Sequence, residues 1–148
     1  MTVNSATDVR ASAADEAAAR DVVDRIGRAW AKHDGDAFAD AYEKEATLIL
    51  SGDRFLEGRE VIRAVINHQF KAGHANTTLL QNIVNFRFIT DGTAVAVTEG
   101  GVLATGETTP APERAIRATW VMNKQGDGEW LIAAYQNTRE ADTSLPGA

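Results

Sequence analysis

The side chains in this sequence best suited to chemistry are few, and they fall on segments that are otherwise apolar. They are Asn82, Glu99, Tyr135 and Asn137, with Gln69 and Trp30 from helical stretches. A carboxylate withdrawn from water holds its proton more tightly, so a Glu99 facing inward would serve as acid or base. The Tyr135 phenol and the Asn82 and Asn137 amides would supply hydrogen bonds. A mostly apolar lining with a few placed polar groups is the usual form of a small-molecule site. Each candidate also has a plainer role. Glu99 can turn to solvent at the bend marked by Gly100-Gly101, and Asn82 and Asn137 can simply bond neighbouring strands. Trp30, Trp120 and Trp130 are more often core than site. For the histidines a structural or solvated role is expected: His33 ends a helix, His68 flanks a buried stripe and His74 lies in a loop.

Several chemistries are excluded at once. With no Cys there is no disulfide, thiolate nucleophile or zinc-thiolate site. No His-x-x-His, Gly-x-Ser-x-Gly, Gly-x-Gly-x-x-Gly or P-loop pattern occurs, so neither metal nor cofactor is expected. Acids exceed bases, 21 against 15, for a net charge of -6. Such a surface repels a phosphate backbone, which argues against a nucleic-acid partner. The N-terminus lacks the apolar core of a signal peptide, and no stretch approaches the ~18 apolar residues that span a bilayer. A cytoplasmic protein without membrane contact is the expectation. The 148 residues fit one domain, placed at residues 13–139, with flexible tails at 1–12 and 140–148.

The elements that must position these residues follow from periodicity. Residues 13–33 repeat apolar side chains at helical spacing (Ala19, Val22, Val23, Ile26, Ala29, Trp30), behind a Ser12 cap. Glu16/Arg20, Asp21/Arg25 and Asp24/Arg28 are set to pair on its outer side. After Asp34-Gly35-Asp36 comes a short helix with Phe38 and Tyr42 on one side, then a strand from Glu45 to Ser51. A second long helix, residues 59–72, buries Val61, Ile62, Val65, Ile66, Gln69 and Phe70. From Thr77 onward the chain alternates as strands, turned at Asp91-Gly92 and at residues 125–128.

Strand facing decides which polar groups reach the interior. For the strand from Thr77 the inward set is Leu80, Asn82, Val84, Phe86 and Phe88. Next come Val95, Val97 and Glu99, then Ile116, Ala118, Trp120 and Met122. The last strand offers Leu131, Ala133, Tyr135 and Asn137 against Trp130, Ile132, Ala134 and Gln136, and the first set is preferred. Helices followed by long bent strands predict an α+β fold, a curved antiparallel sheet wrapped around N-terminal helices to leave a cone-shaped hollow.

Ala29-Trp30-Ala31-Lys32-His33-Asp34, Phe38 and Tyr42, Glu45-Ala46-Thr47, Gly58-Arg59 with Ile62, and the run from Gly128 to Ala134 resemble nuclear-transport-factor-like (SnoaL-like) cone domains. The ending Gln136-Asn137-Thr138-Arg139 resembles the SgcJ/EcaC-type accessory proteins of enediyne polyketide biosynthesis. The resemblance covers roughly residues 14 to 139. It implies the cystatin-like roll, and a superfamily that spans isomerases, cyclases and inert binding domains. It also implies a difference from the isomerases. Where they carry a carboxylate base near the end of the first strand, this chain has Leu48, Ile49, Leu50 and Ser51, and Ile26 stands at the position of their first-helix tyrosine. Acid–base work would then fall to Glu99, Tyr135 or a histidine.

The resulting expectation is a cofactor-independent enzyme that cyclises, isomerises or otherwise rearranges a polyene or polyketide intermediate. Trp30, Phe70 and Trp120 would shape the chain and Gln69, Asn82 and Asn137 would contact it, with Glu99 and Tyr135 catalytic. The alternative is a non-catalytic module that shields the intermediate or docks on the synthase. A small-residue patch on the outer sheet face (Ile83, Ile89, Ala94, Ala96, Thr98, Thr119, Val121, Ile132, Ala134) predicts a homodimer.

Overall fold

The computed structural model describes residues 10–141; most of both expected tails, residues 1–9 and 142–148, lies outside them. In chain order the elements are α1 (Ala13–Ala31), α2 (Gly35–Asp40), β1 (Tyr42–Leu50), β2 (Arg54–Glu57), α3 (Arg59–Lys71), β3 (Thr78–Thr90), β4 (Thr93–Leu103), a 3-10 turn at Pro112–Arg114, β5 (Ala115–Lys124) and β6 (Trp130–Arg139). The six strands form one curved open sheet in the order β2-β1-β6-β5-β4-β3. All neighbours are antiparallel except β1 and β6, which run parallel and tie the two halves of the chain together. The expected α+β roll is the observed fold.

Local signals explain most of the helical layer. Ser12 accepts from the Asp15 backbone N–H at 3.0 Å while the Asp15 carboxylate reaches back to Ser12 N, closing a capping box at the start of α1. Ala19, Val22, Val23, Ile26, Ala29 and Trp30 are buried. On the outer side Glu16 and Arg20 pair as the spacing predicts. Arg28 instead takes Asp21 through both nitrogens, seven residues and about two turns away on the same face. Arg25 leaves the helix altogether for Glu129. On α3, Ile62, Ile66 and Phe70 are buried, whereas Val61 is exposed, one step of ~100° away from the stripe.

The sheet departs from simple alternation at four register shifts, and two of them correct the expected facing. On β3 the pairing runs Ile83 with Thr98, then Asn85 with Val97, so Val84 is an extra residue. An extra residue reverses the faces on either side of it. Phe86 and Phe88 therefore point in as expected, but before the bulge Leu79, Gln81 and Ile83 do so, while Leu80 and Asn82 point out. On β6 Ile132 pairs with Met122 and Ala134 with Val121, leaving Ala133 extra. Both competing readings of that strand are half right: Trp130 and Ile132 face in, and so do Tyr135 and Asn137. Two further register shifts lie at the end of β3, between Phe88 and Thr90, and in β1, between Tyr42 and Thr47.

On β4 the choice of larger residues misleads. Trp120, wholly buried, pairs with Ala96, and Ala118 pairs with Thr98. The inner face thus carries Ala94, Ala96 and Thr98, and their small size makes room for the Trp120 indole. Val95, Val97 and Glu99 take the outer face. The expected bend at Gly100-Gly101 is a close backbone approach. A Cβ on Gly100 would lie 1.9 Å from the Leu80 carbonyl oxygen, and one on Gly101 2.3 Å from that of Arg114. Only glycine lets β4 curl there and fold the sheet over the helices.

Candidate functional site

Between the concave sheet and the three helices lies a cavity of about 310 Å³, at the small end of the ~300–1,000 Å³ usual for ligand pockets. Its walls are mainly apolar: Ile26, Trp30 and Phe38 from the helical side, Leu48, Leu50 and Leu56 from β1 and β2, Ile62, Val65 and Ile66 from α3, and Leu79, Ile116 and Trp120 from the sheet. Of the residues singled out by sequence, Trp30, Gln69, Trp120, Tyr135 and Asn137 line it. Phe70 stands one layer behind, edge-on to Trp30 at 5.2 Å. Glu99 and Asn82 do not reach it. They oppose each other across β3 and β4 on the outer face, where the Glu99 side chain is 47% exposed and 3.5 Å from Arg117. The catalytic placement expected for Glu99, and the contact expected for Asn82, fall with the strand facing.

The polar groups that do enter are held by three relays. In the first, Asn137 Oδ1 accepts from the Ser51 backbone N–H at 2.8 Å and from Ser51 Oγ at 2.9 Å. A backbone N–H can only donate, so the Asn137 oxygen must face Ser51 and its Nδ2 must face Tyr135. Asn137 Nδ2 accordingly donates to the Tyr135 hydroxyl at 3.1 Å. That leaves the phenolic proton free for a ligand. In the second relay the Trp120 indole, also a donor only, gives to Thr98 Oγ1 at 2.9 Å, and Thr98 Oγ1 gives to Gln81 Oε1 at 3.1 Å. The Gln81 Nε2 end is then the donor, and it is turned toward the Tyr135 phenol oxygen. Two chains anchored on obligate donors thus converge on Tyr135, whose phenolic proton is left on the cavity wall to meet a carbonyl or enolate oxygen.

Residues 11–136 match the SnoaL-like domain model, which is almost the whole of the described roll. The chain belongs to the SnoaL-like domain family. No curated relative matches it. Among solved structures, this SnoaL-like chain is similar to a domain of unknown function with a cystatin-like fold from Nostoc punctiforme, with 26% identity and a TM-score of 0.81 over 89% of this chain and 81% of that one. It shares the fold of an NTF2-like protein from Novosphingobium aromaticivorans (19% identity, TM-score 0.75, 88% and 85% covered). A ketosteroid isomerase-like protein from Erwinia carotovora atroseptica has the same fold (19% identity, TM-score 0.68, 88% and 100% covered).

Protonation in this SnoaL-like cavity follows from burial. Burial raises the Tyr135 phenol above its ordinary value, with hydrogen bonding by Asn137 and Gln81 working against it, so the group is a protonated donor at neutral pH. Tyr42, wholly buried beside it, is raised further by burial and then by the Tyr135 phenol. His74 is shifted the other way: burial, then the positive charge of Arg54, lower it below 6.5. A neutral imidazole on the wall can accept a proton. Its position is fixed by a third relay, in which Trp30 Nε1 donates to Thr77 Oγ1 at 3.0 Å and Thr77 Oγ1 donates to the His74 carbonyl at 2.9 Å. The Trp30 ring lies 5.0 Å from the imidazole. His74, for which a structural or solvated role was expected, is thus a cavity residue.

The polar cavity residues missed by sequence are Gln81 and Ser51, together with Arg54, Arg114 and Arg139 near the mouth, and Thr98 lies wholly buried behind the wall, holding Gln81. Gln81 and Thr98 were hidden by the β3 bulge and by the small residues of β4. Ser51 and Arg139 were legible as the neighbours of Leu50 and Thr138 at strand ends. Among the described residues, no group of three or more His, Asp or Glu side chains is set to hold a metal ion, and no helix is long and apolar enough to cross a membrane.

Proposed function

We propose that this SnoaL-like protein is a cofactor-independent isomerase or cyclase acting on an unsaturated polyketide or polyene carbonyl compound in enediyne-type antibiotic biosynthesis. The observation that carries the reading is the Tyr135 hydroxyl, held in an apolar cavity by the Asn137 and Gln81 relays so that its proton is left to donate. A substrate carbonyl oxygen set against it would gain stabilisation as it became an enolate. Neutral His74 would take a proton from a carbon conjugated with that carbonyl, and the electron pair would move onto the oxygen. The imidazolium would then return the same proton to another carbon, shifting the double bonds or closing a ring with no net redox change. Trp30 and Trp120 would flatten the unsaturated chain between them. The segment Gln136-Asn137-Thr138-Arg139, which carries the resemblance to the SgcJ/EcaC-type proteins, supplies Asn137 to the first relay. Incubating the purified protein with synthase-derived polyene and following its absorption spectrum tests this: catalysis changes the spectrum over time.

A second reading rests on a different observation. Among the described residues the interior wall has no carboxylate, the base of the isomerase-like members, and the one acidic lining residue, Glu113, is exposed near the mouth with 72% of its side chain in water. A shelter for a reactive intermediate, docked by its acidic surface on basic patches of a synthase, needs no base. A bound polyene whose spectrum stays constant would favour it. In either reading we infer a homodimer through the outer sheet face. With the facing corrected, that face keeps Val121 of the expected patch, loses Ile83, Ala94, Ala96, Thr98 and Ile132 to the inner side, and gains Ile49, Val84, Val97 and Leu131. The larger apolar surface strengthens the case for a second copy covering it.

A further inference from the structure

The cavity mouth is charged in a way that the interior chemistry does not use. Arg54 opens β2, Arg139 closes β6, and Arg114 lies between them in sequence, ending the 3-10 turn ahead of β5; all three line the cavity. Arg114 is committed. It bonds Glu107 at 2.6 Å and the Val102 carbonyl at 3.3 Å, which fixes the loop ahead of β5. Arg54 and Arg139 form no ion pair among the described residues. In a chain whose acids exceed its bases by six, these two guanidinium groups outnumber Glu113, the acid that lines the same opening, and make it locally positive against the overall charge.

The rim is also continuous with the donor relay. Arg54 Nε donates to the Ser51 carbonyl at 3.4 Å, and Ser51 in turn holds Asn137. Along β6, Tyr135, Asn137 and Arg139 share the inner face at two-residue spacing. From Tyr135 to Arg139 is therefore ~13 Å along the strand: phenol deep inside, amide midway, guanidinium at the mouth. The effect of the Arg54 charge on His74 shows that this side chain is felt inside the cavity.

We propose that Arg54 and Arg139 read a carboxylate at one end of the ligand, so that an apolar unsaturated acid enters chain-first and is held with its acidic end at the rim. This rests on the reading of the cavity as a polyene site and adds to it the polarity and direction of the substrate. Arginine suits the task because its planar fork grips a carboxylate through two hydrogen bonds. An ester or hydrocarbon of the same shape would fill the cavity but leave the rim unused.

The test is fluorescence titration of the full chain with cis-parinaric acid, a conjugated tetraene acid, and with its methyl ester. The wild type binds the acid roughly ten- to a hundredfold tighter than the ester at low salt, and added salt narrows the gap. In the double variant Arg54→Gln/Arg139→Gln the preference disappears while ester affinity is retained, with an unchanged melting temperature showing that the fold is intact. Equal affinity for acid and ester in the wild type, or a preference that survives in the double variant, overturns the rim assignment alone. Failure to bind either compound overturns both the rim and the polyene reading beneath it.

Discussion

Thr98 offers a test of the relay in which two near-isosteric changes pull in opposite directions. Its side chain is wholly buried, accepting from Trp120 Nε1 and donating to Gln81 Oε1. Thr98→Val keeps the volume and removes the hydroxyl. It discards two hydrogen bonds, at about 1 kcal/mol net each, and strands a buried indole N–H, whose unmet desolvation adds to the loss. The expected cost is about 2–4 kcal/mol. Thr98→Ser keeps the hydroxyl and loses one methyl, worth about 1 kcal/mol with its small void. Urea unfolding followed by tryptophan fluorescence measures both, and the valine variant should melt roughly 6–12 °C below the wild type. If serine costs more than valine, Thr98 is present for its methyl group and the second relay has no energetic standing.

Other outcomes follow from the same geometry. Glu99→Gln should change stability by less than about 0.5 kcal/mol and leave turnover of the polyene at the wild-type rate, since the side chain faces water beside Arg117; a large loss in the spectral assay would return Glu99 to the mechanism. Because burial and Arg54 lower His74 below 6.5, the imidazole stays neutral at pH 7, and the rate should fall only as pH drops below that value. Arg54→Gln removes a positive charge, raises the His74 pKa and moves this acid limb to higher pH; a limb that does not move excludes His74 as the base. Val121→Arg should convert a species of twice the 15.9 kDa chain mass into a monomer, read by light scattering after gel filtration, and a dimer untouched by the change places the interface elsewhere.

Much of the fold was legible because helix periods and turn residues act locally. The α1 stripe from Ala19 to Trp30, the Ser12 box, the Asp91-Gly92 turn and the Gly100-Gly101 bend are each written in a few adjacent residues. The inner set Ile116, Ala118, Trp120 and Met122 was equally plain, since the opposite facing would bury Arg117. What alternation does not carry is a bulge. One extra residue at Val84 moves Asn82 out and Gln81 in, and one at Ala133 joins the halves of two exclusive readings of β6. Glu99 was misplaced for a related reason. Val95 and Val97 outweigh Ala94 and Ala96 in size, but β4 needs its small residues beneath Trp120, a contact made across strands and invisible within one. Tyr135 and Asn137 were found because both are large polar residues on an apolar strand. His74 was not singled out among the three histidines because its contact with Trp30 joins residues more than forty positions apart.

The central claim is that the Tyr135 proton, freed by the Asn137 relay, stabilises charge developing on a ligand oxygen. The direct measurement is the rate at which purified wild-type protein and Tyr135→Phe change the absorption spectrum of a synthase-derived conjugated polyene, with bound ligand quantified in parallel. The ring, its packing against Trp120 and the cavity shape survive the substitution, and only the hydroxyl is lost. The account predicts a spectral change with the wild type, slowed about 10²–10³-fold in the variant, with both proteins binding the polyene. Equal rates in the two proteins, or tight binding with no spectral change by the wild type, would contradict it.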